Sequence, residues 1–282
     1  MRLGMNEKIA RHMGLCTVAL FLGLGSVLQN ANAQTFRPYS QSVGDWTHNY
    51  GNEVDVELVL AVDISQSMDA DEQEVQRAGY VSALTSDEFV EAVQLGPIGK
   101  IAVVYMEWGG VGEHFVVADW AEVKDRKSAE AFAAQIAEAP LRQVQRTSIS
   151  SALKKSVEMV ETNTFSGLRK VIDISGDGPN NQGGPVTEMR DRLLSSGVVI
   201  NGLPLMMKSN GTTWQAMLNL DHYYEDCVIG GPGSFAIPVR SKSEFADAIR
   251  MKLVMEVAGL TLPPPLVQTV SDRQPTRCGM FD

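Results

Sequence analysis

Val54-Asp55-Val56-Glu57-Leu58-Val59-Leu60-Ala61-Val62 runs directly into Asp63-Ile64-Ser65-Gln66-Ser67. The first nine residues alternate at their start and then become an unbroken apolar run, the pattern of a central parallel strand covered on both faces. The next five place oxygen-bearing side chains at every second position, directly past the strand's carboxyl end. In an open parallel sheet that edge is where ligands bind.

Outward from this stretch, strands and helices alternate. Val75, Ala78, Val81 and Leu84 recur at helical spacing and predict a helix over 71–84. Gly79 weakens it unless something packs closely there. A short helix over 86–93 ends at Gly96-Pro97. Strands over 100–108 and 113–120, joined by Gly109-Gly110-Val111-Gly112, predict an antiparallel hairpin. Helices over 128–138 and 148–162, a strand over 169–175 and a helix over 186–196 stopped by Gly197 follow. A strand over 198–205 carries Pro204 near its end, which places that end at the sheet rim. A last edge strand over 235–239 and a helix over 243–258 complete the series. The expected class is α/β: a three-layer, doubly wound, mostly parallel sheet with one antiparallel edge hairpin, forming a single domain over 53–260.

The ends of the chain read differently. Arg2, Lys8 and Arg11 precede an apolar run over 13–28, and Ala31-Asn32-Ala33 closes the segment, the order of a cleavable signal peptide over 1–33. The run is shorter than the roughly 20 apolar residues of a transmembrane span. A polar leader dotted with aromatics fills 34–52, and a Pro-rich tail fills 261–282. Cleavage would remove three basic side chains and one acidic one, so the formal charge of −10 becomes −12. Such a surface repels phosphate backbones, which argues against nucleic acid, and favours divalent cations. Export implies a periplasmic or secreted protein. Of the three cysteines, Cys16 leaves with the signal, and in an oxidising compartment Cys227 and Cys278 are expected to pair and tether the tail, with two free thiols as the alternative.

Two further loops at the ligand-binding edge carry oxygen donors: Thr147 in Arg146-Thr147-Ser148 and Asp177 in Ser175-Gly176-Asp177-Gly178. Asp-x-Ser-x-Ser followed by a distant Thr and a distant Asp resembles the metal-ion-dependent adhesion site of the von Willebrand factor A family. The resemblance covers roughly 54–258, and the chain looks most like the family's exported bacterial members of unassigned function. It implies that Asp63, Ser65, Ser67, Thr147 and Asp177 hold Mg²⁺, or Mn²⁺ or Ca²⁺. The hydroxyls would bind directly and the carboxylates largely through water, because Mg²⁺ keeps several waters and takes few protein ligands. Uncharged ligands leave the ion able to grip the acidic side chain of a protein or peptide partner. The implied function is cation-dependent binding with no catalysis; a metal-dependent hydrolase and a metal-stabilised structural module are the alternatives.

Each residue also has a structural reading. Asp63, the serines and Thr147 are all suited to capping the helices that follow, and Asp177 to a turn. Gln145 and Arg146 stand where the family often has small residues. Arg146 either crowds the cation or points away toward an acidic partner. Asp173, inside a buried strand, either backs the site or pairs with a cation. Asp69 and Asp71 would add to the negative field. An EF-hand would use Asp63, Ser65, Ser67 and Glu74, but Met68 stands where its loop needs Gly. A serine-hydrolase elbow and a P-loop are both missing, and the histidines are too scattered for zinc. Trp214, Tyr223 and Tyr224 either pack or line a partner surface.

Overall fold

The computed structural model describes residues 51–207, 219–260 and 274–280. The signal segment, nearly all of the leader, Trp214 and most of the tail lie outside the described residues. Within them the order is β1 (Glu53–Asp63), α1 (Ala70–Leu84), α2 (Asp87–Gln94), β2 (Ile101–Trp108), β3 (His114–Val123), α3 (Arg126–Glu138), α4 (Ile149–Thr162), β4 (Ser166–Gly176), α5 (Val186–Ser195) and β5 (Val198–Pro204). A short α6 (Leu220–Tyr223) runs into a π-helical turn (Tyr224–Val228), and α7 (Phe245–Ala258) closes the domain.

The five strands lie in the order β3-β2-β1-β4-β5, with all neighbours parallel except β2 and β3, the expected hairpin. Past Glu53 every residue of β1 is buried, as a central parallel strand requires. Its side chains alternate between two cores. Val56, Leu58, Leu60 and Val62 face a core shared with α1, α2, α3 and α7, while Val59 and Ala61 face one shared with α4, α5 and α6. Gly79 meets the condition set by the sequence: a Cβ there would stand 2.9 Å from Ile249 Cδ1, so its absence lets α7 pack tightly on α1.

The expected edge strand over 235–239 is not a strand. Residues 235–239 lie parallel to β5 as two isolated bridges, Gly202 with Ala236 and Leu205 with Val239. Between them Pro204 has no N–H to donate, so the ladder is broken at the residue that should join the two bridges.

Asp173 faces away from the ligand-binding edge, into the α7 core. There Lys252 Nζ lies 2.5 Å from Asp173 and also pairs with Glu256, and all three side chains are buried. Of the sequence's two alternatives for Asp173, the structure selects pairing with a cation. Asn201 Nδ2 donates to Glu256 Oε1 at 3.0 Å. Burial, then the neighbouring Asp173 carboxylate, push the Glu256 carboxyl up to about 7, against the pull of Lys252 and Asn201.

Candidate metal centre

The order of the strands places a topological switch between β1 and β4. The chain leaves β1 toward α1 on one face of the sheet and leaves β4 toward α5 on the other, opening a crevice at their carboxyl ends. Asp63 is the last residue of β1, and Asp177 directly follows β4.

Local hydrogen bonds build the rest. Asp63 Oδ1 accepts from the Ser65 backbone N–H at 2.7 Å, which bends the chain just past the strand. Ser65 Oγ and Ser67 Oγ are 2.8 Å apart, and Ser67 Oγ donates to Asp177 Oδ1 at 2.5 Å. Asp63, Ser65, Ser67 and Asp177 therefore form one hydrogen-bonded series across the switch. Exposure grades along it: Asp63 is 0% exposed, Ser65 1% and Asp177 8%, while Ser67 is half-buried. Asp63 is the floor, and Ser67 and Asp177 reach the rim.

Thr147 is buried on the adjoining loop and is not in that series. Its backbone exchanges two bonds with Asn181, which donates to the Thr147 carbonyl at 2.9 Å and accepts the Thr147 N–H on its side-chain oxygen at 3.0 Å. The loop that carries Thr147 is thus sewn to the loop that carries Asp177. Asn180 continues the seam, accepting from Ser150 N–H at 3.1 Å, and its own N–H donates to the Tyr223 hydroxyl at 3.1 Å.

The capping alternatives resolve clearly. The N-cap of α1 is Asp69, whose carboxylate accepts the Glu72 N–H at 2.8 Å in a capping box, and the N-cap of α4 is Ser148. Neither helix uses Asp63, Ser65, Ser67 or Thr147 as its cap. Asp69 has a structural task, and Glu74 is exposed on α1, outside the series. His114 lies on β3, half-buried and 3.2 Å from Ser151 Oγ.

Two polar atoms at the floor lack a hydrogen-bond partner among the described residues: Asp63 Oδ2 and the Tyr224 hydroxyl. A Cβ built on Gly176 would stand 2.9 Å from each, so both border the same small gap and only glycine fits beside it. Burial, then the nearby Asp177 carboxylate, push the Asp63 carboxyl up to about 8, against hydrogen bonds from Ser65 and the Asp177 backbone. Burial and the Asp63 carboxylate likewise push the Tyr224 phenol well up. Sequence reasoning assigned Gly176 no role and read Tyr224 only as packing or lining a partner surface. Gly176 sits inside the quoted Ser-Gly-Asp-Gly, but the demand for glycine comes from a tyrosine on a distant turn. No group of three or more His, Cys, Asp or Glu side chains comes together among the described residues. The donors of the series are instead two carboxylates and two hydroxyls, all hard oxygen.

Cys227, on the π-helical turn beside Tyr224, forms a disulfide with Cys278. Both tyrosines are fully buried, so of the two readings open to them the structure selects packing.

Residues 53–261 match a family described as "Protein of unknown function (DUF1194)". Comparison with curated proteins finds no match. Among solved structures the chain is similar to proximal thread matrix protein 1 from the mussel byssus with a zinc-occupied MIDAS motif, at 17% identity and a TM-score of 0.50, covering 73% of this chain and 48% of that one. It is also similar to the pilus adhesin SpaC from Lactobacillus rhamnosus GG in its open conformation, at 14% identity and a TM-score of 0.52, covering 73% and 30%. A von Willebrand factor type A structure from Catenulispora acidiphila matches at 14% identity and a TM-score of 0.49, covering 73% and 43%. The chain spans less than half the length of each. At these identities the likeness is one of fold, the von Willebrand factor A type.

Proposed function

The chain belongs to the DUF1194 family, and from that footing we propose that it is a divalent-cation-dependent protein-binding module of an exported protein. Asp63, Ser65, Ser67, Thr147 and Asp177 hold the cation, and the captured group is a carboxylate of a protein or peptide partner. The carrying observation is Asp63 Oδ2, a buried carboxylate oxygen with no hydrogen-bond partner among the described residues. A buried acceptor left unpaired costs about 1–3 kcal/mol and calls for a ligand. The residues fit a hard cation: oxygen donors only, with two carboxylates linked through serine hydroxyls.

When bound, a divalent ion supplies positive charge that hydroxyl ligands leave largely uncompensated, which is what a partner carboxylate seeks. The chain's own residues prepare the place. Asp63 Oδ1 fixes the Ser65 backbone, Ser67 ties the first loop to Asp177, and Asn181 holds the Thr147 loop against the Asp177 loop. The adhesin and thread-matrix protein among the structural neighbours support an interaction module. The Cys227–Cys278 disulfide supports an oxidising compartment, periplasm or medium.

Magnesium, manganese and calcium titrated into the mature chain test this directly. Magnesium at about 100 times its dissociation constant stabilises the wild type by about 2.7 kcal/mol. That shift disappears in Asp63→Ala and Ser65→Ala, and a glutamate-bearing peptide binds in magnesium and dissociates in chelator. A wild-type melting curve that ignores all three ions at millimolar concentration refutes the reading.

A further inference from the structure

Beside the cation series lies a cleft of about 240 Å³ between the first turns of α4 and the loop leading into α5. Its walls include Ser150, Ser151 and Lys154 from α4, Gly184, and Glu188 and Arg192 from α5. Ser150 and Ser151 follow Thr147 by one helical turn, on the order of 5 Å of rise. The cleft is fixed to the series by the same seam: Asn180 binds Ser150, and Ser148 Oγ donates to the Gln182 carbonyl at 2.8 Å. Gly183, in the floor, has φ +93°, and a Cβ there would fall 2.8 Å from both Ser148 Oγ and Ser150 Oγ. A side chain at that position would close the cleft.

The charge of this wall is unlike the rest of the chain. The whole carries −10, yet the cleft presents two cations against one acid, Glu188. Arg192 is exposed and has no ion pair among the described residues, and Lys154 reaches Glu158 only at 4.0 Å. Both are therefore available to an incoming anion, with the half-buried Ser151 hydroxyl on the same wall.

We propose that this cleft is a second acid-recognition point, seating an acidic side chain that neighbours the carboxylate captured at the metal. The inference rests on the proposed function and narrows it: the partner is a protein segment with two acidic residues about one residue apart. Lys154 lies seven residues past Thr147, about 10 Å of helical rise, and helical side chains lean back toward the N-terminus, which brings its ammonium within reach of the second acid of an i, i+2 pair, roughly 6.6 Å from the first on one face of an extended strand.

Fluorescence anisotropy with the mature chain tests it, using acetylated glycine peptides with one glutamate, or with two separated by one glycine, in magnesium and in chelator at physiological salt. The wild type is expected to bind the two-acid peptide about tenfold more tightly than the one-acid peptide. Lys154→Ala with Arg192→Ala, both at exposed positions, erases that preference and leaves magnesium-dependent binding of the one-acid peptide intact. Arg192→Glu shifts the preference toward a peptide with lysine in the second place, and Lys124→Ala, on a remote exposed side chain, changes nothing. Equal wild-type affinity for both acidic peptides, with magnesium dependence retained, overturns the second point and leaves carboxylate capture standing. Failure of both peptides to bind in magnesium overturns the two together.

Discussion

Glu256→Gln should flatten the part of the stability profile that comes from the buried triad under α7. In the wild type two carboxylates, Asp173 and Glu256, share one ammonium, Lys252, with all three side chains out of water. Burial first, and then the second negative charge that ionising it beside Asp173 would leave, raise the Glu256 carboxyl from 4.5 to about 7. A raised acid stabilises the fold fully below its unfolded value, near 4.5, and that contribution is lost as pH rises through about 7. At 1.36 kcal/mol per unit the loss is about 3 kcal/mol by pH 8.5. Asp173 is also shifted upward, by burial, so its titration has the same sign. Glutamine keeps an oxygen for Asn201 and removes the second carboxylate, leaving Lys252 and Asp173 as a one-to-one pair. Urea unfolding of both proteins at steps from pH 5 to 8.5 gives the difference directly, with other titrating groups such as His114 cancelling. The wild type should lose about 3 kcal/mol relative to the variant across that range. A difference that stays constant, or moves the other way, refutes the charge count.

Three further outcomes follow from the site and the segments around it. Gly176→Ala drives a methyl to 2.9 Å from Asp63 Oδ2 and the Tyr224 hydroxyl, so it should cost about 1–3 kcal/mol by overpacking and weaken the magnesium-induced thermal shift. Arg146, directly before Thr147, has φ +69° and is the one non-glycine residue with a left-handed φ among the described residues. Arg146→Gly should therefore raise stability by up to about 1 kcal/mol in thermal melts, relief of strain outweighing the extra entropy glycine loses, and a clearly lowered melting temperature would refute that balance. Cys278→Ser opens a loop closed across 51 residues and should lower guanidinium stability by about 4 kcal/mol, an effect that reducing agent reproduces in the wild type and not in the variant.

Much of this was legible from residue types alone because its causes are local. An apolar run that begins with alternation reads as a strand covered on both faces, and a short glycine turn between two strands as a hairpin; both features were found. The series from Asp63 to Asp177 was legible as a spacing, but whether its members were caps was not. That choice depended on Asp69 and Ser148 taking the caps, two adjacent candidates with the same chemistry. Asp173's partner Lys252 lies on the last helix, and only the packing of α7 across the sheet brings them together. The strand expected at 235–239 failed for a reason visible only in register, since Pro204 does harm only because its nitrogen faces that segment. The place of Tyr224 at the floor of the site was missed because its reach toward Gly176 depends on a π-helical turn, which leaves no periodic trace in a sequence.

The interrupted strip along β5 also bears on how the protein behaves in a crowd. Ile237 and Val239 spend their N–H groups inward on Gly202 and Pro204, while Pro238 lies between them with no N–H at all. An incoming chain would find that flank short of donors. At the opposite flank β3 carries Asp119 and Glu122, charges that any added strand would have to desolvate. Strand-by-strand stacking of copies is discouraged on both sides, so high local concentrations would not by themselves turn the sheet into a fibre.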